Sequence, residues 1–518
     1  MKPRIPTTSQ SPLAYLAALA AGAATVLAFA PFGLWPVQIA TLALMFRMLD
    51  REAGFRHGAL LGWAYGSGWL IAGVHWLYIS MHRYGGLPGW MAVLAVILLG
   101  AGLSVFMALG TGGAAWLKKR WSLGSTAFLL LVMPAVWTVV EWTRGWIFTG
   151  FPWVSSGYAH TNSPLAGYAP LVGVYGLALL SALVAGSIAL LPAKKLPLAG
   201  AAVLLAAGFG LRGVAWTEPH GSPVTVRLLQ GNVPQEMKFQ PGQVEATLAQ
   251  YHGMITEKPA DLIATPETAI PLLSTQLPED YLPLLADFSA ATKSHLVIGI
   301  PVSDGPRQYS NSVLGIAPGA TGMYRYDKHH LVPFGEFIPP GSRWFVQMMN
   351  IPLGDFNSAG LLQAPFKVRD QWVLPNICYE DLFGEEIAAQ LRASADGRLP
   401  EATMLLNVSN IAWFGDSIAL PQHLQISQMR SIETGKPMLR STNTGVTAVI
   451  GPTGEVAGQL PPFEKGTLSA SVQGFSGLTP YSRYGNIPAV GAAILLLFAA
   501  RFSGLSRGNK LPNPLETR

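Results

Sequence analysis

The chain has 518 residues, of which half are hydrophobic and only 12% are charged, and its net charge at pH 7 is +6. Together with a mean hydropathy of +0.34, this composition excludes an entirely water-soluble protein and favours a polytopic membrane protein. The single cysteine excludes an intramolecular disulfide and the zinc sites that need several thiolates. We find no P-loop or dinucleotide fingerprint, and we expect neither a metal nor a cofactor.

Apolar runs dominate the chain before Trp216 and return near its end. A helix needs roughly 20 apolar residues to cross the hydrocarbon core of a bilayer. On this basis we predict eight membrane spans, at 12–30, 35–49, 58–79, 91–116, 125–142, 165–191, 196–211 and 487–502. The predicted organisation is a bundle of seven spans at 1–216, a large domain at 217–486, the last span at 487–503 and a tail at 504–518.

The basic residues are unevenly distributed among the loops between these runs. They cluster at 47–56, 118–120, 194–195 and 501–518, whereas the alternate loops before the large domain hold little beyond Arg83 and Arg144. The positive-inside rule therefore predicts that both termini are cytoplasmic and that the large domain is extracytoplasmic. Because the basic loops adjoin apolar spans, we interpret the charge as contact with anionic lipid and expect no nucleic-acid partner.

Strand-like and helix-like runs alternate in the large domain. We predict strands at 224–233, 260–267, 295–302, 310–317, 371–377, 402–410, 437–445 and 446–452, with helices at 243–256, 279–292, 384–394 and 421–435. This alternation predicts an α/β fold in which helices cover a mixed sheet. Side chains that do chemistry are then expected in loops at the strand ends.

Cys378 lies between the predicted strand at 371–377 and an acidic stretch that we predict to be helical from 381 to 392. The N–H groups and dipole at a helix N-terminus favour a thiolate over a thiol. The pattern therefore predicts a reactive cysteine. The alternative is a buried structural thiol that behaves as a small hydrophobic side chain.

Three further polar residues stand where a fold alone does not require them. Glu267 ends the strand-like run ADLIATPE, and Lys328 and Glu336 lie in the loop YDKHHLVPFGEFIP. A thiol, a carboxylate and an ammonium group brought together can carry out acyl transfer through a covalent intermediate. As alternatives, Glu267 could cap a helix, Lys328 could be a solvated charge, or Glu336 could simply pair with Lys328.

In order and context, Glu267 in TPETAIP, Lys328 in KHHLVPFGEFIP and Cys378 in NICYED resemble the Glu–Lys–Cys triad of the nitrilase (carbon–nitrogen hydrolase) superfamily. Such a domain inserted before the last helix of an eight-span protein is similar to the bacterial apolipoprotein N-acyltransferase family. The resemblance covers essentially the whole chain, including GWIFTGFPWVSSGY at 145–158 and NVSNIAWFGDS at 407–417. It implies an α-β-β-α sandwich on the periplasmic face of the bacterial inner membrane.

The same resemblance implies a two-step acyl transfer. Cys378 would take the sn-1 acyl chain of a phospholipid as a thioester and pass it to the α-amine of a diacylated apolipoprotein. By family match, Glu267 is the general base, Lys328 stabilises the oxyanion and Glu336 orients them. Tyr379 and Glu380 match family positions beside the nucleophile. Phe239, in QEMKFQP, departs from the tryptophan that many relatives carry there.

Several apolar side chains outside the predicted spans suggest contact with lipid. The stretch 342–363 is loop-like yet strongly apolar, which favours a mobile arm that enters the bilayer beside the active site; the alternative is that it packs on its own domain. Trp413 and Phe414 are suited either to a lipid path or to the core. The predicted lipid-contacting side chains are Phe239, Trp344, Phe345, Trp413 and Phe414, with Trp146, Phe151, Trp153 and Tyr158 as interfacial aromatics.

Two other functions share part of this pattern. A membrane-tethered amidase would use the same triad on a small amide but has no use for the apolar loop or so many spans. A transporter with an extracytoplasmic sensing domain would need ionisable residues within its spans, which are nearly free of them. We therefore favour a monomeric acyltransferase whose partners are a phospholipid, an apolipoprotein and the membrane.

Overall fold

The computed structural model describes residues 12–51, 54–236, 241–306, 308–339, 341 and 356–508. Phe239, Trp344, Phe345 and most of the predicted 342–363 arm lie outside these ranges. The chain forms two compact units. One comprises Met1–His75, Val93–Val214 and Asn486–Arg518, and the other comprises Trp76–Ala92 and Ala215–Gly485.

The first unit is helical. Among the described residues, four helices are long and apolar enough to cross a membrane, namely Gly89–Arg120, Ser125–Arg144, Pro164–Ala189 and Ile487–Leu505; Pro12–Ala28 and Leu196–Leu211 are shorter apolar helices. The individual α-helices are Pro12–Ala24, Trp35–Asp50, Phe55–Val74, Gly89–Leu103, Val105–Arg120, Met133–Arg144, Ala169–Ala189, Leu196–Leu211 and Ile487–Gly508. The number of spans and their sidedness stay predictions.

Small residues let these helices approach closely. A Cβ on Gly22 would lie 1.9 Å from the carbonyl oxygen of Tyr65, so only glycine permits this crossing between the first and third helices. Close backbone approach at small residues is the usual basis of helix packing in lipid, where hydrophobic burial between helices contributes little.

Two buried charged side chains, Glu141 and Arg144, fix the loop at 145–158. Glu141 accepts hydrogen bonds from the backbone N–H (2.9 Å) and the hydroxyl (2.6 Å) of Ser156. Arg144 donates to the carbonyl oxygens of Phe151 and Trp153, the latter at 3.1 Å. These bonds satisfy the backbone of an irregular segment, which would otherwise be costly to bury.

The aromatic residues of this loop do not all lie where the sequence suggested. Trp146 is 51% exposed, as expected for an interfacial side chain, but Trp153 is only 3% exposed and Tyr158 is also buried. The most exposed aromatic of the loop is Phe148, at 91%. The interfacial placement is therefore wrong for Trp153 and Tyr158, because both pack inside the unit, and the predicted lipid contact of Trp153 is wrong for the same reason. The lipid-binding role of Trp146 stays a prediction.

The second unit contains two six-stranded sheets. Their orders are β12-β1-β2-β3-β4-β5 and β11-β10-β9-β8-β7-β6. The strands are β1 Glu218–Gln230, β2 Leu262–Ala264, β3 His295–Gly305, β4 Gln308–Ile316, β5 Tyr324–Asp327, β6 Phe366–Val368, β7 Gln371–Ile377, β8 Met404–Ser409, β9 Met438–Thr442, β10 Ala448–Ile450, β11 Val456–Gln459 and β12 Gly466–Ser476. Its longer helices are Pro241–Thr256, Tyr281–Thr292, Gly384–Ala395 and Ala419–Thr434.

The two sheets pack face to face with helices outside. One apolar cluster joins alternate residues of both sheets, such as Val226 and Leu228 with Val408 and Leu439. A second cluster joins the first sheet to helices Pro241–Thr256 and Tyr281–Thr292, and a third joins the other sheet to Gly384–Ala395. The predicted α-β-β-α sandwich is confirmed.

Strand direction brings the functional residues to one edge. The centre of each sheet is parallel, β1-β2-β3 in one and β7-β8-β9 in the other. Strand β5 is antiparallel to β4, which is antiparallel to β3, so β5 runs in the same direction as β3. The segments after β2, β5, β7, β8 and β9 therefore all leave the carboxyl ends of co-directional strands, where side chains from separate stretches of sequence can meet.

The sequence analysis did not find four of these strands, β5, β6, β11 and β12. Their sequences, for example YRYD in β5, lack a continuous apolar run because they pair at or near the sheet edges.

Residues 76–92 also differ from the predicted organisation, since they group with the α/β unit. Trp76 packs on Phe414 with the ring centroids 4.3 Å apart, and its Nε1 donates to Gln422 at 3.2 Å. The other domain boundaries stay predictions.

Candidate active site

Cys378 stands at a sharp turn directly after β7. Its φ of 54° lies in the left-handed region, which is uncommon for a residue with a side chain and marks a constrained position. Residues Cys378–Leu382 form a 3-10 turn, and the α-helix begins only at Gly384. The predicted helical start at 381 is therefore wrong, and Cys378 does not sit on the N-terminus of an α-helix.

Glu380 ties this turn to the chain segment that carries Lys328. One of its oxygens accepts from the backbone N–H of Ile377 (2.6 Å) and from the Tyr326 hydroxyl (3.0 Å). The other accepts from the backbone N–H groups of His329 (2.7 Å) and His330 (3.2 Å). Burial raises the pKa of Glu380, and the three backbone donors and the charge of Lys328 oppose that shift. A buried carboxylate with four donors fixes the two segments against each other.

Lys328 lies at the centre of a buried polar cluster, which we call the lysine cluster and define as Lys328, Glu267, Glu336 and Asn311. Its Nζ is 2.9 Å from Glu336 and 3.3 Å from Glu267. The amide of Asn311 donates to both carboxylates at 2.7 Å. The sequence analysis missed Asn311 because it lies within the apolar strand β4, and only the sheet register shows that it faces the two glutamates.

The turn that carries Glu267 depends on a neighbouring glycine. A Cβ on Gly299 of β3 would lie 2.0 Å from the carbonyl oxygen of Pro266. Gly299 also donates its N–H to the Thr265 hydroxyl at 2.9 Å. The absence of a side chain at Gly299 thus lets the segment after β2 fold back and direct Glu267 into the cluster.

The charges of the cluster set the protonation of Lys328 and Cys378. Burial alone would lower the pKa of Lys328, but Glu336 and Glu267 outweigh it and hold that pKa above its usual value. Burial and the charge of Glu267 raise the pKa of Cys378 well above its usual value, against the opposing effect of Lys328. Burial and the neighbouring carboxylate therefore favour a thiol, which needs a base to become a nucleophile, and they oppose the thiolate that a helix N-terminus would favour.

A second buried cluster lies beside the turn Cys378–Leu382, and the sequence analysis missed it entirely. We call it the arginine cluster and define it as Arg440, Asp381, His423 and Ser427. Asp381 accepts from His423 Nε2 (2.9 Å), Ser427 (2.5 Å) and Arg440 (3.2 Å). Arg440 also contacts Ser427 directly and His423 Nδ1 at 3.0 Å.

The arginine cluster holds both ends of the turn. Asp381 belongs to the turn itself, and Asn407 Nδ2 donates to the carbonyl oxygen of Cys378 at 3.2 Å while its Oδ1 faces Arg440 at 3.4 Å. Arg440 and Asp381 are fully buried. These contacts stabilise the strained backbone at Cys378.

The remaining predicted residues lie around this centre. Tyr379 is buried, with its ring 5.2 Å from that of Phe383. Trp413 packs on Tyr84 at 5.5 Å and Phe414 packs on Trp76. Both residues are only partly buried, which is compatible with either interpretation made from the sequence.

The adjacent histidines diverge. His329 Nδ1 lies 2.7 Å from the Ala359 carbonyl oxygen, whereas His330 Nδ1 lies 2.8 Å from Glu386. In the part of the chain that the structure describes, no group of three or more His, Cys, Asp or Glu residues is placed to hold a metal ion.

Comparison with known proteins agrees with this architecture. Residues 21–187 match the family model for the apolipoprotein N-acyltransferase N-terminal domain, and residues 225–481 match the carbon-nitrogen hydrolase model. A protein of Ralstonia nicotianae named apolipoprotein N-acyltransferase is 52% identical, over 94% of this chain and 93% of its own. A protein of Nitrosomonas europaea with the same name is 46% identical over 94% of this chain and 98% of its own.

Among solved structures, an amidase from Nesterenkonia sp. covers 49% of this chain and 91% of its own, with 19% identity and a TM-score of 0.37, which is too low to add to the assignment. The family of this chain follows from the relatives and both family models, and the apolar helices and the two-sheet domain agree with it. The chain is a membrane protein and belongs to the apolipoprotein N-acyltransferase family, whose large domain is of the carbon–nitrogen hydrolase type.

Proposed function

We propose that this chain transfers an acyl chain from a phospholipid to the N-terminal amine of a diacylated apolipoprotein through a thioester on Cys378. The observation that carries the proposal is the buried cluster of Lys328, Glu267 and Glu336, whose charges act on the thiol of Cys378 at its strained turn. The names of the close relatives support the substrate class.

In the first half-reaction Glu267 takes the proton of the Cys378 thiol, and the sulfur attacks the carbonyl carbon of the sn-1 ester. The ester carbonyl oxygen gains negative charge, which the ammonium of Lys328 stabilises. The carbon–oxygen bond then breaks, the proton on Glu267 passes to the leaving oxygen, and a lysophospholipid departs.

In the second half-reaction the α-amine of the apolipoprotein attacks the thioester carbon. Glu267 accepts a proton from the amine, and the carbon–sulfur bond breaks. The proton returns to sulfur, which leaves an amide and a free Cys378 thiol. Glu336 keeps Lys328 charged and oriented through both steps, because its carboxylate lies 2.9 Å from Nζ.

The site lies in the periplasm under this proposal, with both termini in the cytoplasm and the protein acting as a monomer in the inner membrane. The support is the bias of lysine and arginine among the loops. Phe239, Trp344, Phe345, Trp413, Phe414 and Trp146 are proposed to contact lipid, on the basis of their apolar character in segments outside the spans.

The test is the intact mass of the purified protein after incubation with phospholipid in the absence of an acceptor. We expect a mass gain equal to one acyl chain on the wild type and none on Cys378→Ala. Addition of a diacylated lipopeptide should return the protein to its original mass and yield a triacylated product.

Two results would contradict the proposal. Hydrolysis of small amides without any acyl gain would indicate a tethered amidase instead. If the folded protein shows no acyl gain and no hydrolysis, Cys378 is a structural thiol.

A further inference from the structure

The backbone N–H of Asn410 faces both partners of the proposed proton transfer. Asn410 follows β8 directly, and its N–H donates to Glu267 Oε2 at 2.8 Å. The pairing of Ile377 in β7 with Val408 in β8 brings Cys378 beside the segment that carries this N–H, and the N–H opposes the rise of the Cys378 thiol pKa. The other oxygen of Glu267 is occupied by Asn311 (2.7 Å) and Lys328 (3.3 Å).

Two buried amide side chains hold Asn410 in this orientation. Its Nδ2 donates to Gln235 Oε1 at 2.8 Å, and its Oδ1 accepts from Asn443 Nδ2 at 3.1 Å. Asn410, Gln235 and Asn443 are each less than 10% exposed. Both ends of the Asn410 side chain are therefore fixed, which fixes the peptide unit that carries the N–H.

Asn443 also joins segments of the two sheets. Its side chain accepts from the N–H of Val233 at 2.9 Å and donates to the carbonyl oxygen of Val233 at 2.8 Å. Its own N–H donates to the carbonyl oxygen of Ser409 at 3.1 Å. The segments after β1, β8 and β9 are thus locked together next to Glu267, at the point where the Asn410 N–H must be directed.

We propose that the backbone N–H of Asn410 is a catalytic hydrogen-bond donor that stabilises the Cys378 thiolate, and that Asn443 and Gln235 are the positioning residues that direct it. Before the reaction this N–H donates a hydrogen bond to the charged carboxylate of Glu267. When the proton moves from sulfur to Glu267, the electron pair stays on sulfur, and the better acceptor for the N–H becomes the thiolate. The same N–H thus donates to whichever of the two groups carries the negative charge. This lowers the free energy needed to form the Cys378 thiolate.

The inference rests on the proposed function for the role of Cys378 as nucleophile. The charged groups that face the thiol are Glu267, Glu336, Lys328 and Arg440, from the segments after β2 and β5 and from β9. Substitution of Asn443 or Gln235 changes none of these charges. A change in the thiol titration of such variants therefore reports on the hydrogen-bond donor.

The test measures the rate at which iodoacetamide alkylates the full-length protein in detergent from pH 7 to about pH 11.5, because the pKa of the Cys378 thiol lies well above its usual value. Cys378 is the single cysteine of the chain, so alkylation reports on it alone. For Asn443→Ala we expect the midpoint of the rate–pH curve to move upward by about one unit and the rate at pH 7 to fall about tenfold, since a hydrogen bond to a charged acceptor is of that strength. Gln235→Ala, which releases the other end of the Asn410 side chain, should move the midpoint in the same direction by a smaller amount.

Gln371→Ala is the matched control. Gln371 is also a buried amide that links the two sheets, through the carbonyl oxygens of His220 (2.6 Å) and Ser222 (2.9 Å) and the Thr403 hydroxyl (2.7 Å). It lies at the start of β7, whereas Cys378 follows the end of that strand. This variant should lose stability as Asn443→Ala does and keep the wild-type midpoint.

Three outcomes would overturn the inference. They are an unchanged midpoint in both Asn443→Ala and Gln235→Ala, a uniformly slower rate with the wild-type midpoint, or an equal shift in Gln371→Ala. Circular dichroism selects the variants that are folded, and Gln235→Ala provides the measurement if Asn443→Ala is not. Because alkylation needs no lipid, a failure of the proposed acyl transfer would show in the mass experiment and leave this readout intact.

Discussion

Two buried cations flank the turn Cys378–Leu382, and their surroundings differ in charge. In the lysine cluster, Lys328 faces two carboxylates, Glu267 and Glu336, which keep 8% and 9% of their surface exposed. In the arginine cluster, Arg440 faces one carboxylate, Asp381, and both are fully buried. The first cluster carries an excess of negative charge beside a partly exposed thiol, and the second pairs one cation with one anion.

The difference indicates a division of work. An ammonium group is a compact charge that can follow a developing oxyanion, whereas a guanidinium group offers a rigid fork that fixes several acceptors. The contacts agree, since Arg440 reaches Asp381, Asn407 and Ser427 at once. We infer that the lysine cluster performs the chemistry and the arginine cluster holds the turn that presents Cys378.

The largest expected effect is that of Lys328→Met, which removes the cation and keeps the length of the side chain. Acyl-enzyme formation should fall by about a thousandfold or more, because the oxyanion loses its charged partner and the thiolate loses the nearest positive charge. Single-turnover acylation, followed by intact mass, measures this rate.

The control for this prediction is Lys293→Met, since Lys293 is a helix-terminal residue in the same unit and lies outside the cluster. It should acylate at the wild-type rate. Normal acylation by Lys328→Met would show that the lysine cluster is structural after all.

The next effect is that of Arg440→Met, which leaves Asp381 as a buried carboxylate without its guanidinium partner. Breaking a fully buried ion pair from one side typically costs about 3–5 kcal/mol of unfolding free energy. Chemical unfolding followed by circular dichroism measures it. Arg398→Ala is the control, because Arg398 and Asp396 are each 53% exposed and such a pair contributes about 0–1 kcal/mol.

The proposed roles of the two clusters would be wrong if Arg440→Met kept its stability and lost acylation as completely as Lys328→Met. In that case Arg440 would act on the reaction directly through its charge beside Cys378. A stability loss with a smaller decrease in the acylation rate per folded molecule would support the division proposed above.

The two clusters also differ in how far the sequence could predict them. Glu267, Lys328, Glu336 and Cys378 could be found because each stands in a turn-rich loop after a strand, where a charge or a thiol has no packing role. Arg440, Asp381 and His423 could not, because they lie within runs predicted as strand or helix. Their meeting depends on the parallel pairing of β8 and β9, which places Arg440 opposite Asn407.

The fold shows the same limit. The apolar strands β1, β3, β7 and β8 could be located from their composition, and β7 was predicted with the bounds that the structure has. The polar edge strands could not, since tertiary pairing overrides weak local preference. The acidic residues near 381 resemble a first helical turn and predict a helix from 381, yet Glu380 and Asp381 use their carboxylates to bind other segments.

Acid should weaken the arginine cluster in a measurable way. Burial works to raise the pKa of Asp381, but His423, Arg440 and Ser427 outweigh it and hold that pKa below its usual value. A carboxyl group with a lowered folded-state pKa stabilises the fold above its unfolded pKa of about 3.9, and that contribution disappears as the pH falls through the folded-state pKa. The difference in unfolding free energy between the wild type and Asp381→Asn should therefore shrink below about pH 4.

Unfolding by denaturant at a series of pH values from neutral to acid measures this difference. Glu455→Gln, a change at an exposed carboxyl in the turn between β10 and β11, serves as the control and should track the wild type throughout. A difference between the wild type and Asp381→Asn that stays constant with pH would show that Asp381 contributes through its shape and hydrogen bonds alone.

The smallest effect on the unfolding free energy is expected for Arg83→Ala. Arg83 forms an ion pair with Glu236 that is shorter than the pair of Arg440 with Asp381. Its nitrogen–oxygen distance is 2.7 Å, against 3.2 Å for Arg440 and Asp381, but its side chains are 62% and 39% exposed. Water screens an exposed pair and already solvates both partners when it breaks, so Arg83→Ala should change the unfolding free energy by about 1 kcal/mol at most. The measurement is the same denaturant unfolding, at low and at high salt. If Arg83→Ala lowers the unfolding free energy as much as Arg440→Met does, the distance between the charges decides the strength of these pairs. The expected small loss means that burial decides it. Buried Asp381 has no solvent that could replace its guanidinium partner.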